Sequence, residues 1–269
     1  MARLITAFSN PLVKQARALR DKKQRRREGL FLAEGLRIMT EAREAGTIPV
    51  TLFFVTGHRH PLLDALIAAT EAGGGEVIET SADILHKISG KENPQLALGI
   101  YAAFDVSLAR IDRAVADLWL VAQALRDPGN LGTMLRTGDA VGAGGLILID
   151  ECVDPFSVEA VRASMGALFT QRIAAAPWQE FLPWLRAGAG ELVGTSLATD
   201  VDYQAPRYRK PCFILVGNEA QGLPADYEQA CDTLVRIPMR GKADSLNAAI
   251  AAAVMAYEVT NQWRADARR

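Results

Sequence analysis

Apolar positions along this chain switch between two spacings, and the switches mark out its elements. Leu12, Val13, Ala16 and Leu19 recur at helical intervals behind Asn10, a cap residue, and Pro11, a first-turn proline. The spacing predicts a helix over 10–27 whose other face is basic. A short strand follows at 30–33, then a helix through Leu36, Ile38, Met39 and Ala42 that ends near Gly46. Strands predicted at 50–55, 76–79 and 96–104 alternate with helices at 61–72 and 81–89. Such a unit can close its own core by about Phe104.

Small apolar residues mixed with Asp105, Arg110, Asp112 and Arg113 suit a connector, after which a second alternation begins. Strands are expected at 118–124, 145–149, 192–197, 212–216 and 233–237, with helices at 130–141, 158–168 and 245–263. The runs Leu146-Ile147-Leu148-Ile149 and Phe213-Ile214-Leu215-Val216 are apolar throughout. That pattern fits strands of a parallel sheet covered on both faces. The chain is therefore read as α/β: a smaller N-terminal α/β domain over 1–105, a linker over 106–116, and a mostly parallel-sheet domain over 117–269. There is no internal repeat or low-complexity tract.

Composition adds constraints. With 269 residues, 49% of them apolar, there is material for two cores. The N-terminal residues lack a signal-peptide core, and the apolar stretch 248–257 is too short to span a bilayer, so a cytoplasmic protein is expected, with no membrane partner. Three cysteines, Cys152, Cys212 and Cys231, are widely spaced and read as core thiols; with only three histidines in the chain, no metal site is expected. The net charge of −1 hides an asymmetry, because residues 1–30 carry nine Lys/Arg against two acids. Concentrated positive charge attracts a phosphate backbone, which makes Lys14, Lys22, Lys23, Arg25, Arg26 and Arg27 candidate contacts to RNA or DNA; a solvated helix face is the alternative.

Chemistry is suggested where apolar strands give way to loops, the place where α/β sheets put ligands. The first loop is Asp127-Pro128-Gly129-Asn130-Leu131-Gly132, with Asn130 as a possible cap of the next helix. Arg136 lies one position past the apolar face made by Leu131, Met134 and Leu135. Gly138, Gly142, Gly144 and Gly145 do not form G-x-G-x-x-G after a strand, so a nicotinamide cofactor is not indicated. A second loop, Gly217-Asn218-Glu219-Ala220-Gln221-Gly222, carries one carboxylate. The third run, Ile237-Pro238-Met239, can line an apolar slot of the kind that accepts an adenine ring, and Asp244-Ser245 reads as a helix cap.

Taken together, these runs resemble the SpoU/TrmH family of SPOUT RNA methyltransferases. The resemblance rests on Asn130, Gly132 and Arg136 with 142–150, on 161–167, on Gly217, Glu219 and Gly222, and on Ile237-Pro238-Met239 with Ser245-Leu246-Asn247. It extends over 117–260, and the front unit is similar to the family's N-terminal RNA substrate-binding domain. It implies a C-terminal trefoil knot, a homodimer whose active sites draw on both subunits, and S-adenosylmethionine as cofactor. It further implies transfer of a methyl group to a ribose 2′-hydroxyl of ribosomal or transfer RNA. Carried over by motif position, Thr195, Gly217, Ile237, Met239 and Leu246 contact the cofactor, and Asn130, Arg136, Glu219, Ser245 and Asn247 form the catalytic group.

Arg136 is the family's proposed base, yet a guanidinium stays protonated. Arg136 is better suited to anchoring an RNA phosphate and stabilising developing alkoxide, with a phosphate oxygen or water taking the proton. Two other readings stay open: a base methyltransferase of the same superfamily using Asp244, and a non-catalytic RNA-binding or ribosome-assembly factor.

Overall fold

The computed structural model describes residues 2–91, 95–218 and 220–268, and the fold divides into two units. In the first, chain order runs β1 (Arg3–Ile5), α1 (Pro11–Ala18), α2 (Lys22–Glu28), β2 (Leu30–Glu34), α3 (Leu36–Glu44), β3 (Thr51–Val55), α4 (Pro61–Ala72), β4 (Glu76–Thr80), α5 (Ala82–Ser89) and β5 (Ala97–Ala102). Its sheet has the order β1-β4-β3-β5-β2. The pairs β1/β4 and β3/β4 are parallel, and β5 runs antiparallel to β3 and β2. Val13, Ala16 and Leu19 bury against Phe53, Ile78, Leu98 and Ile100.

The helix expected over 10–27 is two helices. Asn10 caps α1 by accepting from the Leu12 amide at 2.9 Å. Asp21 then caps α2, its carboxylate accepting from the amides of Lys23 and Gln24 at 2.9 and 3.1 Å. A carboxylate that satisfies two amides starts a helix afresh, which periodicity alone cannot register.

The break corrects one expected RNA contact. Arg25 is only 6% exposed. Its Nε and Nη2 donate to Asp154 Oδ2 at 3.0 and 2.6 Å, and its Nη1 donates to the carbonyls of Leu19 and Arg20 at 2.9 and 2.8 Å. This guanidinium is consumed by the fold and is not available to RNA, whereas Lys14, Lys22, Lys23, Arg26 and Arg27 are exposed.

Asp154 belongs to a segment, 154–170, that groups with the first unit although sequence placed it in the second domain. There the helix expected over 158–168 is interrupted. It forms α7 (Val158–Ala163) and α8 (Ala167–Thr170), separated by Met165 and Gly166 at φ of 52° and 104°. At Gly166 a Cβ would lie 2.6 Å from Glu41 Cβ, so α3 leaves no room for a side chain. Phe156 and Phe169 pack on Phe31 of β2, with ring centroids 4.9 and 6.0 Å away.

The second unit holds β6 (Leu118–Gln123), α6 (Pro128–Val141), β7 (Gly145–Ile149), β8 (Arg172–Ala176), α9 (Trp178–Arg186), β9 (Glu191–Thr195), β10 (Cys212–Val216), α10 (Ala225–Ala230), β11 (Thr233–Val235) and α11 (Ala248–Asp266). Its sheet is parallel throughout, in the order β11-β9-β10-β6-β7-β8. The parallel α/β architecture expected from the buried runs is present. Residues 106–116 are less of a linker than expected, because Leu108 and Ile111 pack into this unit's core beside Trp119. Strand β8 and helices α9 and α10 were not foreseen; β8 reads Arg-Ile-Ala-Ala-Ala, with little β-branched signal.

Breaking a buried ion pair from one side leaves an uncompensated charge, which typically costs about 3–5 kcal/mol. Arg25→Ala is therefore expected to lower the urea-unfolding free energy by about 3 kcal/mol. Lys23→Ala or Arg26→Ala should leave it nearly unchanged.

Candidate active site

Three neighbouring strands of the parallel sheet end at one cavity. Thr195 closes β9, Val216 closes β10 and Ile237 lies just beyond β11, and all three line a space of about 430 Å³. Gly217, Met239, Ser245 and Leu246 line it as well. Every residue expected to hold the cofactor therefore reaches the same cavity, at the carboxyl edge of the sheet where parallel α/β folds bind ligands. Val216, Ile237, Leu246, Ala248 and Ala251 give it apolar walls, and its volume falls in the range of small-molecule sites.

The loop after β10 is fixed by backbone packing and by Asn218. A Cβ on Gly217 would lie 2.4 Å from the carbonyl carbon of Gly222, so at this position it is the chain itself that requires glycine. The Asn218 Nδ2 donates to the carbonyl of Ala124 at 2.9 Å, and its Oδ1 accepts from the Ala220 amide at 2.9 Å. This amide ties the loop after β10 to the loop after β6. In the sequence Asn218 is simply a member of the second loop, and nothing in its spacing identifies the carbonyl that it meets. Glu219, expected in the catalytic group, lies outside the described residues.

Two more expected residues meet each other. Asn247 Nδ2 donates to Asn130 Oδ1 at 2.8 Å, while Asn247 Oδ1 accepts from the amides of Ala249 and Ile250 at 3.0 and 3.2 Å. Asn247 is thus the cap of α11, a role expected of Asp244-Ser245. The cap of α6 is Asp127, whose carboxylate accepts from the Asn130 amide at 2.7 Å, and not Asn130 itself. Both corrections have one cause: capping needs a side-chain oxygen two or three residues ahead of the amide, and several adjacent polar residues offer one. Ser245 Oγ lies 3.4 Å from Asp244 Oδ1, and both residues are exposed at the cavity.

Arg136 stands apart. It is exposed on α6, makes no ion pair with a described residue, and is not among the residues lining the cavity. Six residues along a helix place it roughly 9 Å beyond Asn130 and about a third of a turn round.

The thiols lie outside this chemistry. Burial pushes Cys152 up to about 11 and Cys231 up to about 12, and Cys212, deepest of the three, further still. Such thiols remain protonated and unreactive at neutral pH. Among the described residues no cluster of His, Cys, Asp and Glu suited to a metal ion is present, and no helix is long and apolar enough to cross a membrane.

A parallel α/β fold with a small-molecule-sized cavity at its strand ends is the class that this geometry defines. The family model of the SpoU rRNA Methylase family matches residues 117–257, and that of the MRM3-like substrate binding domain matches residues 10–99. The chain belongs to the SpoU rRNA methylase family. Among solved structures, an AdoMet-bound rRNA methyltransferase from Sinorhizobium meliloti superposes with a TM-score of 0.90 at 40% identity, covering 97% of this chain and 98% of that one. A 23S rRNA uridine 2′-O-methyltransferase from Streptomyces viridochromogenes is 32% identical over 97% of this chain and 93% of its own length. A 23S rRNA guanosine 2′-O-methyltransferase from Bacillus subtilis is 28% identical, over 95% of this chain and 98% of its own.

The two jobs of Asn247 separate by substitution. Asn247→Asp keeps a capping oxygen and loses the donor to Asn130, whereas Asn247→Ala loses both. Thermal unfolding should show a loss of about 1 kcal/mol for the alanine variant and much less for the aspartate variant.

Proposed function

We infer that this protein transfers the methyl group of S-adenosylmethionine to a ribose 2′-hydroxyl of RNA, with ribosomal RNA as the substrate class. The observation that carries the reading is the single cavity at the ends of β9, β10 and β11, lined by Thr195, Gly217, Ile237, Met239 and Leu246 in a chain of the SpoU family. Its apolar walls suit an adenine ring and its backbone edges offer hydrogen bonds. When bound, the cofactor supplies an electrophilic methyl group on a sulfonium. Relatives acting on a uridine and on a guanosine have nearly the same extent, so the fold is compatible with either nucleoside.

The chain's own groups then have distinct tasks in this reading. Asn130 and Asn247 hold the starts of α6 and α11 together beside the cavity. Ser245, exposed at its rim, faces the place of an incoming ribose, and Glu219 is assigned to the same group. Arg136 stays cationic and stabilises oxygen charge as the hydroxyl proton departs, or anchors the neighbouring phosphate. A phosphate oxygen or water takes the proton. Holding the reacting atoms in line supplies much of the remaining acceleration.

Arg136 lies outside the cavity lining of its own chain, and this supports a homodimer in which it serves the partner's cavity. Helix α11 carries a matching apolar stripe: Ile250 and Tyr257 are 48% and 51% exposed, with half-buried Val254 between them at helical spacing. A knotted connection and a cytoplasmic location are part of the same proposal, carried over from the family resemblance. The first unit, with Lys14, Lys22, Lys23, Arg26 and Arg27 exposed, is assigned to RNA capture.

Arg136→Ala should lower single-turnover methylation by about 100-fold or more while leaving cofactor affinity within twofold. The readout is 2′-O-methylnucleoside analysis of RNA after labelling. Appearance of a methylated base, or of no methylated nucleoside with intact wild-type protein, would overturn the ribose assignment. Mixing Arg136→Ala chains with chains whose cavity is blocked should restore part of the activity if the site is shared between subunits. Replacing Lys22, Lys23, Arg26 and Arg27 together by Ala should flatten the salt dependence of RNA binding by roughly 0.7–0.9 log units per lost phosphate contact. An unchanged slope would make this cluster a solvated face.

A further inference from the structure

Glu228 and Asp244 are the ionisable side chains among the described residues that line the cavity, and no Lys, Arg or His accompanies them. Glu228 is held from two sides. The Ser196 hydroxyl donates to its Oε1, and that hydroxyl in turn accepts from the Ala198 amide at 2.9 Å. The neighbouring Tyr227 pins α10: its hydroxyl donates to Asp150 Oδ2 at 2.9 Å, and its ring stacks on Trp178 with centroids 3.9 Å apart. Nearby Arg186 is occupied by Asp232, at 2.8 and 2.9 Å, and by the carbonyl of Ala230. Glu228 forms no ion pair with a described residue, and it lines the cavity.

We propose that Glu228 and Asp244 make this cavity selective for the cationic methyl donor over its neutral thioether product. The proposal rests on the reading of the cavity as the S-adenosylmethionine site. At neutral pH the donor carries a sulfonium, an ammonium and a carboxylate, a net charge of +1. In transfer the sulfur–methyl bond breaks with its electron pair left on sulfur, the ribose oxygen gains the methyl group, and the hydroxyl proton leaves to water or phosphate. S-adenosylhomocysteine then remains, with a neutral sulfur and no net charge. The two carboxylates that line the cavity attract the sulfonium of the donor by a Coulombic interaction that the neutral sulfur of the product lacks. The same contacts to adenine and ribose serve both, so the charge difference favours exchange of product for fresh donor.

The test is calorimetric titration of the full-length protein with S-adenosylmethionine, with S-adenosylhomocysteine, and with a stable analogue carrying an amine in place of the sulfonium. Glu228→Gln is nearly isosteric and keeps an oxygen to accept from Ser196; Asp244→Asn is the second variant, should the first unfold. Each should raise the Kd of the two cationic ligands about three- to tenfold, the range expected for one partly screened charge several ångströms away. The Kd of S-adenosylhomocysteine should stay within twofold. Equal weakening of all three ligands would show a hydrogen bond to a shared group and overturn the proposal, as would unchanged affinities in both variants. Wild-type protein that binds none of the three would instead remove the cofactor reading itself.

Discussion

A parallel sheet delivers all its strand ends to one edge, and the loops that leave them carry backbone groups that no ladder satisfies. How those groups are paired decides whether the edge is a defined site or a set of mobile loops. Here Asn218 joins the loop after β10 to the carbonyl of Ala124, a residue held at φ of 48°. Asn247 caps α11 and at the same time holds Asn130 at the start of α6. Each side chain is an amide using its acceptor locally and its donor across to another loop. Aspartate supplies only acceptors in its ionised form, and serine is too short to do both. The cavity at the ends of β9, β10 and β11 depends on this cross-stitching, because the Gly217 loop packs directly on its own return at Gly222 and has no side chain there to brace it.

A second hub supports the other half of the same edge. Asp150, at φ of 63°, accepts from Gln123 Nε2 at 3.2 Å, from the Trp178 amide at 3.0 Å and from the Tyr227 hydroxyl at 2.9 Å. One carboxylate thereby gathers the ends of β6 and β7, the start of α9, and α10. Burial, together with this hydrogen bond to the carboxylate, pushes the Tyr227 phenol above its ordinary range, so it remains a donor across the physiological range. The position of Glu228 at the cavity is thus set by a network at a distance from the cofactor's expected place.

Much of this was legible in the sequence because it depends on local rules. Uninterrupted apolar runs at 146–149 and 213–216 gave buried parallel strands, and Pro61 and Ser81 marked helix starts correctly. The residues expected to hold the cofactor were chosen through motif order, and the fold gathers them around one cavity. Periodicity failed where one residue serves two ends of the chain. The apolar spacing within 10–27 ends at Leu19, and the polar run that follows does not show that the Asp21 carboxylate starts a second helix. Arg25 looks identical to Arg26 in composition, and only the fold presents Asp154 and two carbonyls to one of them. Asn218, Asp150 and Glu228 share this property: their partners lie tens of residues away, where single-sequence spacing carries no information.

Charge is divided within the chain in a way that suits the chemistry assigned to it. Residues 1–30 hold nine of the thirty Lys/Arg against two of the thirty-one acids, so the rest of the molecule is net negative. A polyanion is attracted by the first segment through counterion release, over a range set by the Debye length. The cavity proposed for the cofactor needs no such attraction, because S-adenosylmethionine is a cation before transfer. Cationic side chains in its lining would draw RNA phosphate into the space meant for the donor and would bind the sulfonium form less well than the spent thioether. An acidic lining avoids both. In the proposed reaction a cation serves where the RNA oxygen reacts, and Arg136, exposed and without an ion-pair partner among the described residues, suits that role from a position outside its own chain's cavity. The opposite electrostatic demands of donor and acceptor are thus best met by two surfaces, and a subunit interface that brings one chain's α6 to its partner's cavity would supply both.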